Sequence, residues 1–299
     1  MLLFQKVEEL AHKNTDAKRS IGEFLLAEKD KVDQYSMQEI ADLTYTSKAS
    51  LVRFAKSLGY TGWKEFMQDF LSEIHYEKVH YVNIDPNFPF SEDDSIESIK
   101  RKLSNLMIES IIDTEDQLDD ETLRKAAEVI EKANQVALFG TSPNTYLGSL
   151  FRRKMLTIGK NILIPESDTA HLCNTVREGD CAILISYSGN NEYHNPINLI
   201  PILKEHHVTI IALTGVGENT LRENADIVLN ISTRERLYTK IATFTTEQSI
   251  QYILNVLFGC YFVGNFDNNL QAKINSSKRF EKRYSIYSSI SEDNNKEGQ

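Results

Sequence analysis

Five short apolar runs in the second half of the chain constrain its fold more than any other feature. They are separated by segments long enough to form helices, and they read QVALFG, NILIP, CAILISYS, VTIIALTG and DIVLNI, at residues 135–140, 161–165, 181–188, 208–215 and 226–231. Strands that are joined by helical crossovers run parallel and are covered on both faces. The spacing therefore predicts a doubly wound α/β domain with a five-stranded parallel sheet.

The first 80 residues have a different periodicity. Apolar residues recur there at helical spacing, as in Leu51, Phe54 and Leu58, which is typical of a small all-helical bundle. The stretch VHYVNIDPNFPFSEDD then introduces two prolines and an acidic end, the composition of a linker. We expect a helical domain at 1–78, a linker at 79–94, the α/β domain at 95–283 with helices at 95–114, 120–133 and 238–283, and a disordered tail at 284–299.

Composition excludes several classes of protein. The chain has 299 residues, of which 41% are hydrophobic and 25% charged, enough to bury a core in each of two domains. Its cysteines, Cys173, Cys181 and Cys260, lack the C-x-x-C spacing of a zinc site or a disulfide framework, so we expect neither a metal nor a cofactor. No apolar run approaches ~18 residues and the N-terminus is amphipathic. A cytoplasmic protein that does not span a membrane is expected.

A basic island interrupts this acidic chain. The formal net charge is −10, yet no acidic residue occurs from Leu43 to Lys64. The island has the pattern of a helix-turn-helix, with a first helix over 37–43, a turn over 44–46 and Ser47 as the N-cap of the second helix. On that helix Leu51 and Phe54 fall on the buried side, while Ala49, Arg53 and Lys56 point outward.

A helix of this kind suits the major groove of DNA. Small outward residues permit close approach, and an arginine can bond O6 and N7 of guanine. Lysines further along would contact phosphates and set the salt dependence of binding. The candidate DNA-binding residues are Ser47, Lys48, Ala49, Ser50, Arg53, Lys56, Tyr60 and Lys64. The alternative, on charge and spacing alone, is a solvated helix face with ordinary lysines.

Two loops rich in small hydroxyl residues follow the first and third predicted strands. They read FGTSPNTYLG and ISYSGNNEYHN, and we expect each to lead into the N-terminus of a helix, where free N–H groups attract a phosphate. A dinucleotide site would require G-x-G-x-x-G, and only Gly140 of those three glycines is present. The simpler alternative is that these serines only cap helices.

Both regions resemble known families. The run SKASLVRFAKSLGYTGWKEF resembles the N-terminal domain of RpiR-type bacterial transcription regulators, with its Arg-Phe, Leu-Gly-aromatic and Gly-aromatic steps. The two loops resemble those of the flavodoxin-like SIS, or sugar isomerase, domain, which binds phosphosugars. The effector-binding residues that this resemblance implies, with Asn191 where the family has Thr, are Thr141, Ser142, Ser186, Tyr187, Ser188, Gly189, Asn191 and Glu247.

The resemblance implies a regulator that binds operator DNA as a dimer, or as a tetramer, and responds to a sugar phosphate. The apolar run from Ser249 to Val263 is the expected dimer contact, and a basic group lies at 278–283. SIS domains also occur in sugar-phosphate isomerases, which need a general base. The candidates Glu192, His194, Glu247 and His171 form no catalytic constellation, so we expect a sensor, with an isomerase as the alternative. Glu247 and Asn255 replace the Arg and Asp of many family members.

Overall fold

The computed structural model describes residues 3–80 and 84–281, which form a helical N-terminal domain and an α/β domain. The N-terminal domain has five helices and a 3₁₀ turn, Lys29–Gln34, between the second and third. The helices are α1 Leu3–His12, α2 Ala17–Ala27, α3 Met37–Leu43, α4 Lys48–Ser57 and α5 Trp63–His80.

Side-chain caps place the ends of these helices. Ser36 and Glu39 form a capping box at the start of α3, in which the Ser36 hydroxyl accepts from the Glu39 amide at 3.2 Å and the Glu39 carboxylate accepts from the Ser36 amide at 2.7 Å. Ser47 is the N-cap of α4, as predicted, and accepts from the Ser50 amide at 3.2 Å. The tight turn between α3 and α4 makes the pair a helix-turn-helix.

The α/β domain contains one sheet of five parallel strands in the order β2-β1-β3-β4-β5. The strands are β1 Val136–Gly140, β2 Ile162–Leu163, β3 Cys181–Ile185, β4 Thr209–Gly215 and β5 Ile227–Ile231. The helices are α6 Ile96–Glu115, α7 Asp120–Lys132, α8 Asn144–Leu156, α9 Thr169–Cys173, α10 Ile200–Glu205, α11 Thr220–Asn224, α12 Phe244–Gly264 and α13 Phe266–Glu281. The predicted all-helical domain followed by a five-stranded doubly wound sheet is confirmed.

The strand order brings two loops together. Strands β1 and β3 are neighbours in the sheet but not in sequence, and Gly140 pairs with Ile185 at their carboxyl ends. This is the point at which the strand order reverses, where doubly wound folds bind their ligands. Alternate residues of each strand enter cores on opposite faces of the sheet, Leu138 on one side and Phe139 on the other.

One long segment differs from its sequence-based prediction. Helical structure was expected from residue 238, but α12 begins at Phe244. Residues 232–243, here called the strap, are irregular, and several of their backbone amides bond to Glu8 of the N-terminal domain and to the carbonyl of residue 87 instead of forming a helical ladder. The predicted tail at 284–299 and residues 81–83 of the predicted linker lie outside the described residues. Across 3–80 and 84–281, no helix has the length and apolar character required to cross a membrane.

Candidate functional site

Helix α4 presents the side predicted to face DNA. Leu51, Phe54 and Ala55 are fully buried against α2, α3 and α5, whereas Arg53 is exposed and its Nη2 donates to Ser50 Oγ at 3.0 Å. The other exposed candidates of this surface are Ser47, Lys48, Ala49, Lys56 and Lys64, and Ser50 is half-buried. The outward face of α4 is therefore free of carboxylates and exposed to solvent.

Two tyrosines beside α4 have different environments. Tyr60, a candidate phosphate contact, is half-buried with its ring 5.5 Å from that of Phe66, and burial together with Asp69 raises its pKa to about 12. Tyr45 is 97% exposed in the turn before α4, where its φ is +54°. Tyr45 was not among the predicted DNA-binding residues, although the sequence shows an aromatic residue in a polar turn beside the second helix.

The loop after β3, residues 186–191, is called here the hydroxyl loop. Its Ser186 Oγ accepts from the Gly189 amide at 3.3 Å, which turns the chain back on itself. Gly189 has a φ of +65°, and a Cβ at this position would lie 2.1 Å from Asn219 Oδ1. Only glycine fits these two constraints, because other residues would be strained and would collide with Asn219.

Neighbouring segments hold the hydroxyl loop in place. Asn190 Oδ1 accepts from the Thr220 amide at 3.0 Å, at the start of α11. On the other side, Asn144 Nδ2 of α8 donates to the carbonyl of Ile185 at 3.2 Å and joins the loop after β1 to the end of β3. Asn144 was not among the predicted residues. Thr141 and Ser142 are exposed where the two loops meet.

The prediction that both loops lead into helix N-termini is correct for only one of them. Helix α8 begins at Asn144, two residues after Ser142, and its N-cap, Pro143, makes no side-chain hydrogen bond. After the hydroxyl loop, Glu192 and His194 lie on exposed turns, and helical structure begins with a 3₁₀ turn at Ile197. Pro196 lacks an amide donor and disfavours helical backbone in the residue before it. An anion would therefore meet one helix N-terminus and one turn.

The hydroxyl loop also borders the N-terminal domain. A cleft of about 410 Å³ lies between them, and its walls include Ser188 and Asn191 on one side and Glu9 and Lys13 of α1 on the other. Lys13 Nζ bonds to the Glu9 carboxylate at 2.6 Å. The hydroxyl loop and the helical domain thus share a surface.

A buried glutamine links that loop to α1. Gln5 is 1% exposed, and the Tyr187 hydroxyl donates to its Oε1. Gln5 Nε2 donates to the carbonyls of Thr233 at 3.2 Å and Glu235 at 2.6 Å. Burial raises the pKa of Tyr187, so its hydroxyl keeps the proton that it donates. Tyr187 lies between Ser186 and Ser188, so this contact joins the predicted phosphate loop to the first helix of the N-terminal domain.

A second buried group, Glu8, attaches α1 to the strap. Its carboxylate is 5% exposed and accepts from the amides of Leu237 at 2.6 Å and Thr239 at 3.0 Å. One turn further along α1, His12 stacks on Tyr238 with 4.0 Å between ring centroids. Sequence reasoning missed these contacts because α1 has the pattern of an ordinary amphipathic helix.

The remaining acidic and basic candidates do not converge on one point. Glu247 is half-buried at the start of α12 and accepts from Thr243 Oγ1, whereas Asn255 accepts from Lys154 on an exposed surface. His171 is exposed on α9 and lines a shallow pocket with Glu166. Among the described residues, no three histidine, cysteine or acidic side chains lie together as metal ligands would.

Family models match both parts of the chain. Residues 1–75 match the helix-turn-helix domain of the rpiR family, and residues 129–258 match the SIS domain. The chain belongs to the RpiR-type regulators. The rpiR helix-turn-helix contains α4, and the SIS match contains both loops and the Tyr187 contact. Such a pair of domains is that of a sugar-phosphate-responsive regulator.

Solved structures share the fold at low sequence identity. The NanR protein of Vibrio vulnificus, complexed with ManNAc-6P, is 16% identical, and the match covers 94% of this chain and 99% of NanR with a TM-score of 0.57. The sugar isomerase domain of an RpiR transcription factor from Sphaerobacter thermophilus is 18% identical over 60% of this chain and 98% of its own, with a TM-score of 0.52. A putative sugar-phosphate isomerase from Listeria monocytogenes is 19% identical over 64% and 97%, with a TM-score of 0.51.

Proposed function

We propose that this RpiR-type protein is a cytoplasmic transcription regulator that binds operator DNA as a dimer through α4 and changes its DNA affinity when a sugar phosphate occupies the SIS domain. The observation that carries the proposal is the bond between Tyr187 and Gln5. Tyr187 belongs to the hydroxyl loop, so a ligand on that loop would be separated from α1 by one hydrogen bond. This supports a direct mechanical link between the ligand and the helical domain.

The DNA-binding step rests on the exposed face of α4. Arg53 is the residue that can form the paired hydrogen bonds that distinguish guanine, and Ala49 leaves space for a base edge. Lys48, Lys56 and Lys64 are exposed and positively charged, so they would contact phosphates. Affinity should therefore fall steeply with salt, since phosphate contacts release counterions.

The effector step rests on the loops after β1 and β3. The phosphate would accept hydrogen bonds from Ser142, Ser188 and the free N–H groups at the start of α8. Asn191 and Glu247 would contact sugar hydroxyls, and Thr141 and Ser186 would line the site. Binding shifts the protein toward the arrangement that holds the ligand more tightly. Any arrangement that moves Tyr187 also changes its hydrogen bond to Gln5.

The same geometry supports a sensor rather than an isomerase. A general base must lie within hydrogen-bond reach of the sugar carbon from which it takes a proton. Of the described candidates, Glu192 and His194 are exposed on turns, His171 is exposed on α9, and the Glu247 carboxylate already accepts from Thr243. We therefore expect sugar phosphates to bind without turnover.

One experiment tests both halves of the proposal. Arg53→Ala should lower affinity for an operator, selected by the wild-type protein from a random duplex library, by about 5–150-fold, the cost of ~1–3 kcal/mol for one base-reading arginine. Ser188→Leu should bind that DNA but lose the rise in melting temperature that hexose 6-phosphates or N-acetylhexosamine 6-phosphates give the wild type. DNA affinity is read by fluorescence anisotropy, and product formation by NMR.

The matched control is Arg19→Ala, an exposed arginine on α2 that is paired with Glu23 at 2.7 Å. It should leave both readouts unchanged. The proposal is wrong if Arg53→Ala binds the operator as the wild type does, or if no sugar phosphate raises the wild-type melting temperature.

A further inference from the structure

Helix α13 carries an apolar stripe that its own domain leaves uncovered. Three residues at helical spacing, Phe266, Leu270 and Ile274, are 51%, 40% and 38% exposed. Such a stripe on a 16-residue helix is the pattern of a packed helix, not of a solvated one. The stripe therefore indicates a missing neighbour.

A groove elsewhere on the same domain has an apolar floor. It lies between α7 and α12 and has a volume of about 1020 Å³. A Cβ built on Gly259 or Gly264 would meet no atom within 4 Å, so the floor is open where another helix could approach closely. The apolar residues that line it are Leu123, Ala127, Val256, Cys260, Tyr261 and Val263.

The chain does not fill this groove with its own α13. None of the groove's lining residues belongs to that helix. The elbow at Asn265 is fixed, because the nearly buried Asn269 donates from Nδ2 to the carbonyl of Phe262 at 3.0 Å and the ring of Phe266 packs on that of Phe262 at 5.5 Å. The apolar stripe of α13 does not reach the α7–α12 groove of its own chain. It can reach the same groove in a second copy.

Length and charge both suit a second copy. At 1.5 Å per residue, the 13 residues of α7 span ~20 Å and the 16 residues of α13 span ~24 Å. The groove is lined by three acidic side chains, Asp120, Glu128 and Glu131, and by two cations, Arg124 and Lys132, whereas α13 carries exposed cations at Lys273, Lys278 and Arg279. Opposite charges of this kind favour one orientation of the pair.

We propose that two copies of this protein exchange α13, each helix lying in the α7–α12 groove of the other copy. This gives a closed two-fold contact in which the same two surfaces are used twice. The inference rests on the dimer of the proposed function and specifies how it forms. It keeps the outer side of the contact predicted at Ser249–Val263, because Val256, Cys260 and Val263 line the groove, whereas Ile250, Ile253 and Leu257 are buried in their own domain.

Native Cys260 in the groove allows a direct test by crosslinking. A thiol can be placed on three successive turns of α13 by the variants Phe266→Cys, Leu270→Cys and Ile274→Cys. Mild oxidation of the full chain should convert at least one of them to a disulfide-linked dimer on a non-reducing gel. Cys173 and Cys181 are fully buried, whereas Cys260 is partly exposed, so the two buried thiols should not compete.

Two controls make the crosslink specific. Adding Cys260→Ser to the responsive variant should remove the linked dimer. The variant Ile96→Cys, at an 80% exposed position on α6, should form no linked dimer with Cys260. Crosslinking of Ile96→Cys to the same extent, or dimers that persist without Cys260, would overturn the exchange.

Light scattering of the full chain gives an independent readout. The wild type should have twice the 34.2 kDa chain mass, and Leu270→Asp with Ile274→Asp should raise the dimer dissociation constant at least 100-fold. The comparison variant is Ile108→Asp with Ile112→Asp, on a similarly exposed face of α6. A monomeric wild type, or dissociation by the α6 pair but not by the α13 pair, would contradict the proposal.

Failure of this inference can be told apart from failure of the proposed function. The α13 double variant should keep the rise in melting temperature with sugar phosphates, because the hydroxyl loop belongs to one chain. If α13 is not exchanged, the masses and crosslinks differ from those expected above, but the wild type still shows the rise in melting temperature with sugar phosphates. If the proposed function is wrong, the rise is absent from every variant, whatever their masses.

Discussion

At the scale of single residues, a few positions have no substitute because backbone and neighbours constrain them together. Gly189 needs both a left-handed backbone and an empty Cβ position beside Asn219. Gln5 and Tyr187 satisfy each other inside an interface between domains, where an unpaired polar group costs about 1–3 kcal/mol. Arg53, in contrast, makes one surface bond to Ser50, so its side chain is free to exchange that partner for a base.

Replacement of Gly189 by alanine tests the constraint on the hydroxyl loop. Gly189→Ala should lower the free energy of unfolding by about 2–5 kcal/mol, combining ~1–2 for left-handed backbone with ~1–3 for overpacking, and should abolish the sugar-phosphate shift. Urea unfolding followed by circular dichroism measures the first effect.

The matched control is Gly159→Ala in the same domain. Its φ is +89°, but no atom lies within 4 Å of the new methyl group. It should therefore cost only the backbone term and leave ligand binding intact. Equal losses in the two variants would mean that the contact with Asn219 is unimportant.

At the scale of elements, the strap matters more than its lack of regular structure suggests. It follows β5, forms hydrogen bonds with Glu8 and Gln5 of α1, and leads into α12, which packs on the sheet. One segment therefore contacts the helical domain and continues into a helix that packs on the sheet. Movement at either end has a short path to the other.

Removal of the Tyr187 hydroxyl tests that path. Tyr187→Phe should bind sugar phosphates within ~3-fold of the wild type, because the hydroxyl points at Gln5 and not at the ligand. The ratio of operator dissociation constants with and without effector should fall toward one, since allosteric coupling needs differential contacts in the two states.

Tyr193→Phe is the control, because this tyrosine is 90% exposed near the same loop. Its coupling ratio should equal that of the wild type. A wild-type ratio in Tyr187→Phe would show that the coupling runs elsewhere.

At the scale of the whole molecule, the two domains are joined by buried polar contacts as well as by the linker. Residue Asn87 belongs to the predicted linker, is 5% exposed, and accepts from the Arg236 amide at 2.6 Å. Gln5 and Glu8 are buried to a similar degree at this interface. Domains joined in this way unfold together, because neither can expose its half without a cost to the other.

Breaking that interface should separate the two domains thermally. The wild type should show one calorimetric transition, whereas Gln5→Ala with Glu8→Ala should show two, because the contacts that couple the domains are lost. Glu23→Ala, 59% exposed on α2, should keep the single transition. Two transitions in the wild type would contradict the expected coupling.

Much of the fold and part of the site were predictable from the sequence. The period of the apolar residues determined the helical domain and the five parallel strands, and the absence of acid from 43 to 64 marked the outer face of α4. These are local properties, because a residue's place in a helix or strand fixes the side on which it lies. The resemblance of the two loops to the SIS family also identified residues that the strand order then brought together.

Only the tertiary structure decided the contacts between distant segments. Gln5 and Tyr187 are 182 positions apart, and nothing in the sequence around either one indicates its partner. Residues 238–243 of the strap were predicted to be helical because their composition does not reveal that Glu8 binds the amides of this segment. Local pattern determines elements, whereas the bonds that unite the domains depend on which surfaces the completed folds bring face to face.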